Sequence, residues 1–228
     1  MAGRDPAPKE CGMTTDDLMI LLGGLKLSAW YAVLSIATGL PLGLVLGLLG
    51  TAPSRLVRWT TLAVVELLRG LPLLVVVYLI YFGLPSIDVV LDAGPALVTG
   101  LAISAAAYTS EIFRVGILDV PNGQREAARS LGLTGWHELR HVVLPQALSI
   151  VRLPVISFAV LIFQYTAIGF AIGLPELLAR SYGIGSVTFD YLTVFLVAGG
   201  FYAAVSIVAS ALIHVLRRDK SGPAVLPA

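Results

Sequence analysis

Asp119-Val120-Pro121-Asn122-Gly123-Gln124-Arg125-Glu126-Ala127-Ala128-Arg129-Ser130-Leu131-Gly132-Leu133-Thr134-Gly135-Trp136 is a polar island between charge-free runs at 93–110 and 153–175. Pro121-Asn122-Gly123 is a turn signal. After it, Glu126 to Leu131 are good helix formers with a glutamate near the positive amino end. Gly132 stands where a helix stops, and Thr134 can cap the next one. The pattern predicts a short helix lying along a surface. Its Ala127, Ala128 and Leu131 share one side, small enough for a shallow groove of another protein, with Arg125, Glu126 and Arg129 at the rim. An interfacial amphipathic helix without a partner is the competing reading, and composition does not choose between them.

The surroundings of this island are those of a membrane protein. The chain has 228 residues, 57% hydrophobic and 13% charged, against roughly a quarter charged in an ordinary soluble domain. Charge-free runs at 27–54, 70–87, 93–110, 153–175 and 191–216 are close to or above the roughly 20 helical residues that cross a hydrocarbon layer. A net charge of +1 excludes a basic nucleic-acid-binding surface. Cys11 is the single cysteine, so no internal disulfide or multi-cysteine metal cage can form. The first 26 residues lack the basic-then-apolar order of a cleavable signal peptide. The first apolar segment is therefore expected to stay as a signal anchor.

Five spans are expected: Leu27–Leu49, Thr60–Phe82, Ala96–Ile117, Val142–Phe163 and Tyr191–Leu216. In the first, Gly39, Gly43 and Gly47 offer a small-residue face for close helix packing. The second is interrupted by Glu66, Arg69, Gly70 and Pro72. Basic residues favour the cytoplasmic side, and Arg55, Arg58, Arg114, Arg125, Arg129, Arg140, Arg217, Arg218 and Lys220 fall on one side, against Arg4, Lys9 and Arg180 on the other. The expected order is an external tail (1–20), a transmembrane domain (21–217) with a cytoplasmic loop at about 119–141, and a cytoplasmic tail (218–228).

Glu126-Ala127-Ala128, then Gly132, then Val142-Val143-Leu144-Pro145 resembles the EAA loop of ATP-binding-cassette importer permeases, with Val142 where isoleucine is common. Arg69-Gly70-Leu71-Pro72-Leu73-Leu74, Tyr81-Phe82-Gly83-Leu84-Pro85, Glu111-Ile112-Phe113-Arg114 and Gly173-Leu174-Pro175-Glu176-Leu177-Leu178 are similar to the polar amino acid uptake subfamily. The resemblance covers about 20–217. It implies an all-α integral membrane protein with the type I ABC importer permease fold, five transmembrane helices and a cytoplasmic coupling helix. Glu126, Ala127, Ala128, Leu131 and Gly132 would carry coupling to an ATPase. The implied assembly has two ATP-binding subunits, a second permease chain, identical or related, and an extracytoplasmic solute-binding protein. It would sit in a bacterial cell membrane and move a small polar solute such as a polar amino acid. The chain itself would be no enzyme and hold no cofactor or metal, ATP and magnesium being bound by the partner. It has no Gly-Lys dipeptide and hence no phosphate-binding P-loop.

Where that subfamily has Asn-Glu and Lys-Asp-Thr-Ser-Leu in the fourth span, this chain has Ser157-Phe158 and Gln164-Tyr165-Thr166-Ala167-Ile168. Intramembrane charges usually face a cavity or a partner, so their replacement favours a neutral polar or aromatic solute over a strongly charged one. Glu66, Arg69, Tyr108, Glu111, Arg152, Gln164, Tyr165 and Thr166 are the pathway candidates. Each has a bland alternative. Glu66 and Arg69, three apart, can simply pair; Arg152 can snorkel or pair with Glu66; hydroxyls in spans commonly bond back to their own helix.

His137-Glu138-Leu139-Arg140-His141 matches the zinc-protease pattern. Against it, His214 is the sole later histidine, Glu176 and Asp190 are expected outside, and Pro145 follows His141 by four. A secondary transporter or channel would call for inverted repeats, which the chain does not show. A pure membrane scaffold is the remaining alternative.

Overall fold

The computed structural model describes residues 13–218, which are helical with short connections and contain no strand. Helix α1 (Thr15–Leu49) starts at a capping box. The Asp17 amide donates to Thr14 Oγ1 at 3.2 Å, and the Thr14 amide to Asp17 Oδ2 at 3.0 Å. The helix thus begins well before Leu27 and takes in residues 15–20, which the sequence reading assigned to the tail. The acidic Asp16 and Asp17 suit a first turn, where the helix dipole favours negative charge.

One stripe of α1 is buried: Leu21, Gly24, Ser28, Ala32, Ser35, Gly39, Gly43 and Gly47. Its lower half lies on α4 (Ala93–Leu118). A Cβ built on Gly39 would come within 2.9 Å of the Ala102 carbonyl, and one on Gly47 within 2.8 Å of that of Ser110. Between apolar helices in lipid, close backbone packing of this kind supplies the attraction that water supplies elsewhere.

The expected second span is broken. Helix α2 (Arg55–Gly70) and α3 (Leu73–Tyr78) are separated by Leu71 and Pro72, and the α2 and 73–87 segments meet at 97°. Leu71 is extended (φ −83°, ψ 133°), the conformation that the proline ring imposes on its predecessor. A π turn over Leu79–Gly83 and a 3-10 turn over Leu84–Ile87 continue α3. Among the described residues, four helices are long and apolar enough to cross a membrane, or five if the bent pair forms one span.

The remaining elements are α5 (Asn122–Ser130), α6 (Gly135–Glu138), α7 (Leu144–Tyr165), α8 (Leu177–Thr188) and α9 (Tyr191–Arg218). Helical structure runs unbroken from Gly135 to Ile172, through a π turn at Leu139–Val143 and a 3-10 turn at Thr166–Ile172. The fourth span is therefore longer than Val142–Phe163 at both ends. Gly173, at φ 76°, closes it. Helix α8 has no counterpart in the sequence reading. The central helix is α4, whose Ala96, Leu97 and Leu101 pack with Val76, Val77 and Ile80 of the α3 segment and with Ile172 and Leu174. The large exposed side chains Trp30, Leu42 and Val45 on α1 and Leu192 and Val208 on α9 are apolar, as on a surface that faces lipid.

Candidate functional site

The loop between α4 and α7 forms the helix expected of it, but extended to Asn122–Ser130. Its carboxyl end is a Schellman motif: the Gly132 amide donates to the Arg129 carbonyl at 2.9 Å and the Leu133 amide to the Ala128 carbonyl at 3.1 Å. Gly132 has φ 76°, which explains the glycine. Thr134 takes the N-cap position of α6, but its hydroxyl meets His137 Nδ1 at 2.7 Å instead of a backbone amide.

The expected common face of Ala127, Ala128 and Leu131 is divided. Ala128 turns inward and is buried, whereas Ala127 is exposed and Leu131 is 82% exposed. Successive residues on a helix lie about 100° apart, so Ala127 shares its face with Leu131 and not with Ala128. Trp136, which the sequence reading did not single out, stands 64% exposed just beyond. Glu126 is exposed.

Glu138 is the electrostatic centre of the loop. It is buried, accepts from Arg129 Nε at 2.8 Å and from Nη2 at 3.3 Å, and lies 3.8 Å from Arg125 Nη1. The bond to Glu138 raises the Arg129 guanidinium above its already high ordinary value. Arg125 also donates to the Ile117 carbonyl at 2.6 Å. The zinc-protease reading finds no support here. His137 and His141 stack at 5.7 Å on an exposed surface, while Glu138 serves the arginines. Among the described residues no three histidines, cysteines or carboxylates gather as a metal set.

The pathway candidates separate into two places. In one, Arg69 lies 5.4 Å from the Tyr108 ring centroid, and Tyr108 stacks on Phe158 at 5.7 Å. Arg69 Nη1 meets Glu66 at 3.0 Å, its Nε is buried without a hydrogen-bond partner, and Glu66 is exposed. Glu111, on the same strip of α4, takes two bonds from Arg114 at 2.6 and 2.7 Å. An apolar groove of about 290 Å³ follows, between α4 and α7, lined by Glu111, Val115, Ile150 and Pro154. Arg152 is half-buried on α7 and engaged with other groups.

In the second place, the Gln164 amide donates to Ser206 at 3.0 Å, tying α7 to α9. Thr166 is buried and bonds back to the Phe163 carbonyl at 2.7 Å, and Tyr165 packs against the core. Beside them lies a group that sequence reasoning missed. Glu176, expected on the outer side of the membrane and given no role there, is wholly buried as the N-cap of α8, accepting from the Leu178 and Ala179 amides at 2.8 and 2.7 Å and from Tyr202 at 3.0 Å. Ser28 on α1 contacts the same carboxylate at 3.5 Å. Glu176 therefore joins α1, α8 and α9. No cap signal announced it, because the usual N-cap residues are Ser, Thr, Asp and Asn and Pro175 precedes the cap instead of filling the first helical position.

Apolar spans around a buried small-residue seam, with a polar helical loop set between two of them, define an all-helical, multi-pass membrane protein. The chain belongs to the family of binding-protein-dependent transport system inner membrane components, whose family model matches residues 39–222. It is 31% identical over 198 residues to the probable amino-acid ABC transporter permease protein YckA of Bacillus subtilis (strain 168), covering 87% of this chain and 88% of that one. It is 32% identical over 201 residues to the glutamine transport system permease protein GlnP of Escherichia coli (strain K12), covering 87% and 92%. A chain of an amino acid ABC transporter solved with histidines superposes with a TM-score of 0.82 at 31% identity, over 91% of this chain and 100% of that one. This protein is thus a permease subunit of an ABC importer with the type I fold, and not an enzyme. ATP hydrolysis belongs to a separate subunit, and the family works with ATPase and solute-binding partners in the inner membrane.

Proposed function

We propose that the chain is one of two permease subunits, paired with two ATPase subunits, that carry an amino acid delivered by an external binding protein. Its amino terminus lies outside and its carboxyl terminus in the cytoplasm. ATP and magnesium are bound by the ATPases, and this chain holds no cofactor or metal. Helix α5 is the coupling helix. Ala127 and Leu131 seat in the ATPase with Trp136 beside them, Glu126 lies at the rim, and Gly132 and Ala128 fix the helix to the permease. The observation that carries this reading is the exposure of Leu131, at 82%, on a short helix closed by Gly132 between α4 and α7. An apolar side chain displayed on a polar loop is stabilised by a partner's groove.

Nucleotide-driven closure of the ATPase pair displaces α5, and the spans exchange outward for inward access as a rigid-body transition. The solute passes along the strip of α4 that no neighbouring helix fully covers, where Arg69, Tyr108, Phe158 and Glu111 stand above the apolar groove. A cation and an aromatic wall suit a carboxylate with a neutral or aromatic side chain. Glu66 and Arg152 flank that strip, while Gln164, Tyr165 and Thr166 form the second place, where α7 is held to α9 and the core.

The test is to tag the carboxyl terminus, purify the chain in mild detergent from its host and identify what accompanies it by mass spectrometry. A nucleotide-binding subunit in roughly equal amount is expected. A second permease, or its absence, gives the dimer type. Recovery of the chain alone under several gentle conditions would overturn the coupling assignment.

A further inference from the structure

We infer that Glu138 is a positioning residue that makes the coupling helix move together with both α4 and α7. The inference rests on the transport reading above and adds to it how force leaves α5. Three facts support it.

First, α5 is not seated on a packed apolar bed. Ala128 is its buried side chain, and beside the helix lies an open pocket of about 470 Å³ lined by its Asn122, Arg125 and Arg129, by Thr51 after α1 and by Ile117 and Leu118 at the end of α4. With Ala128 as its buried side chain, the helix has few van der Waals contacts through which to pass a displacement, each atom pair supplying only about 0.1–0.2 kcal/mol.

Second, the polar contacts bridge that gap in two directions. From α5, Arg129 grips Glu138 with two hydrogen bonds, at 2.8 and 3.3 Å, and Glu138 ends α6, from which the π turn at Leu139–Val143 leads without a break into α7. Also from α5, Arg125 reaches the Ile117 carbonyl of α4 at 2.6 Å while its other nitrogen lies 3.8 Å from Glu138. Two-point guanidinium–carboxylate contacts fix orientation as well as distance. A displacement of α5 is therefore passed to α4 and α7 at once, the two helices that flank the proposed solute strip.

Third, the carboxylate is 5% exposed. Removing the arginines would leave this buried carboxylate uncompensated, although the Arg129 side chain itself is 66% exposed. The carboxylate is withdrawn from water and lines the pocket together with Arg125 and Arg129.

The experiment uses the whole complex, purified by a tag on this chain and reconstituted into vesicles with its ATPase and binding protein. Uptake of a labelled mixture of the standard L-amino acids and phosphate release are measured on the same sample. The wild-type assembly is tested first, so a failure of the transport reading shows before any variant is made. Glu138→Gln should keep nucleotide turnover but lower uptake per ATP by about fivefold or more, in the range of coupling changes produced by network residues away from ligand. Glu138→Asp, which keeps a carboxylate facing both arginines, should retain most of that ratio, which a role resting on side-chain bulk alone does not require. Unchanged uptake per ATP in assembled Glu138→Gln complexes would overturn the inference. Should that variant fail to assemble, Arg125→Gln carries the test, because it keeps the Arg129 bond and removes the link to α4. A lowered ratio there supports the inference and an unchanged one overturns it.

Discussion

The seam between α1 and α4 and the loop over 119–143 are held by opposite means. Along the seam, glycines bring backbone against backbone, with a would-be Cβ on Gly39 or Gly47 already in collision with an α4 carbonyl. No charge takes part. In the loop, Val120 and Val143 pack with Ile117 and Ala147, but α5 itself is tied on by one carboxylate and two arginines beside an open pocket, with the apolar Leu131 and Trp136 turned outward. Close packing has a single arrangement and transmits strain. The two-point contacts of the loop instead hold α5 in orientation while few packed atoms confine it, so the helix can shift together with the groups it grips. The seam is accordingly the fixed frame and the loop the part that can be pushed.

The largest effect should come from the seam. A Cβ on Gly43 would lie 3.1 Å from the Ala106 carbonyl and collide with Thr109 Oγ1. Gly43→Val should destabilise the bundle by about 3 kcal/mol, read as loss of the monodisperse peak and a lowered Tm in detergent. A protein as stable as wild type would contradict the rigid-frame view. Next is Gly132→Pro. Proline fixes φ near −65° and has no N–H, whereas Gly132 uses φ 76° and donates to Arg129. ATP-driven uptake should vanish with the chain still inserted in the membrane. Persistent uptake would remove α5 from the mechanism.

The same contrast governs what could be read from sequence. Glycines four apart announce a seam because only a missing side chain permits such an approach, and Gly39, Gly43 and Gly47 all lie in it. The Gly132 stop was equally plain, being a local matter of backbone dihedrals. Composition, however, is blind to geometry at Leu71-Pro72, where an apolar run counted as one span turns through 97°. It is blind also to partners distant in the chain. Glu176 meets Ser28 across most of the sequence, and Glu138 had a plausible local meaning beside two histidines that hid its true contacts. Ala128 was misplaced for a smaller reason, the angular step between neighbours on a helix.

A weaker effect is expected at the exposed knobs. Leu131→Ser with Trp136→Ser removes apolar surface that is mostly exposed, so Tm should stay within about 1 °C, surface changes commonly costing under about 0.5 kcal/mol. Affinity for the ATPase, measured by titrating purified ATPase onto the permease, should fall about tenfold or more, as for central interface residues worth over about 1.4 kcal/mol. Equal affinity would place the contact elsewhere on the loop.

The smallest effect should come from replacing both histidines beside Glu138. His137 and His141 are exposed, stack on each other, and bond Thr134 and the His137 carbonyl respectively. Neither touches Arg125, Arg129 or the Ile117 carbonyl in the contacts that hold the loop. His137→Ala with His141→Ala should leave uptake within about twofold, a change of about 0.4 kcal/mol, and a zinc chelator should not alter either protein. Were uptake to collapse while Glu138→Gln remained active, the loop would work through its outer ring pair, and the ion pairs beneath would be mere packing.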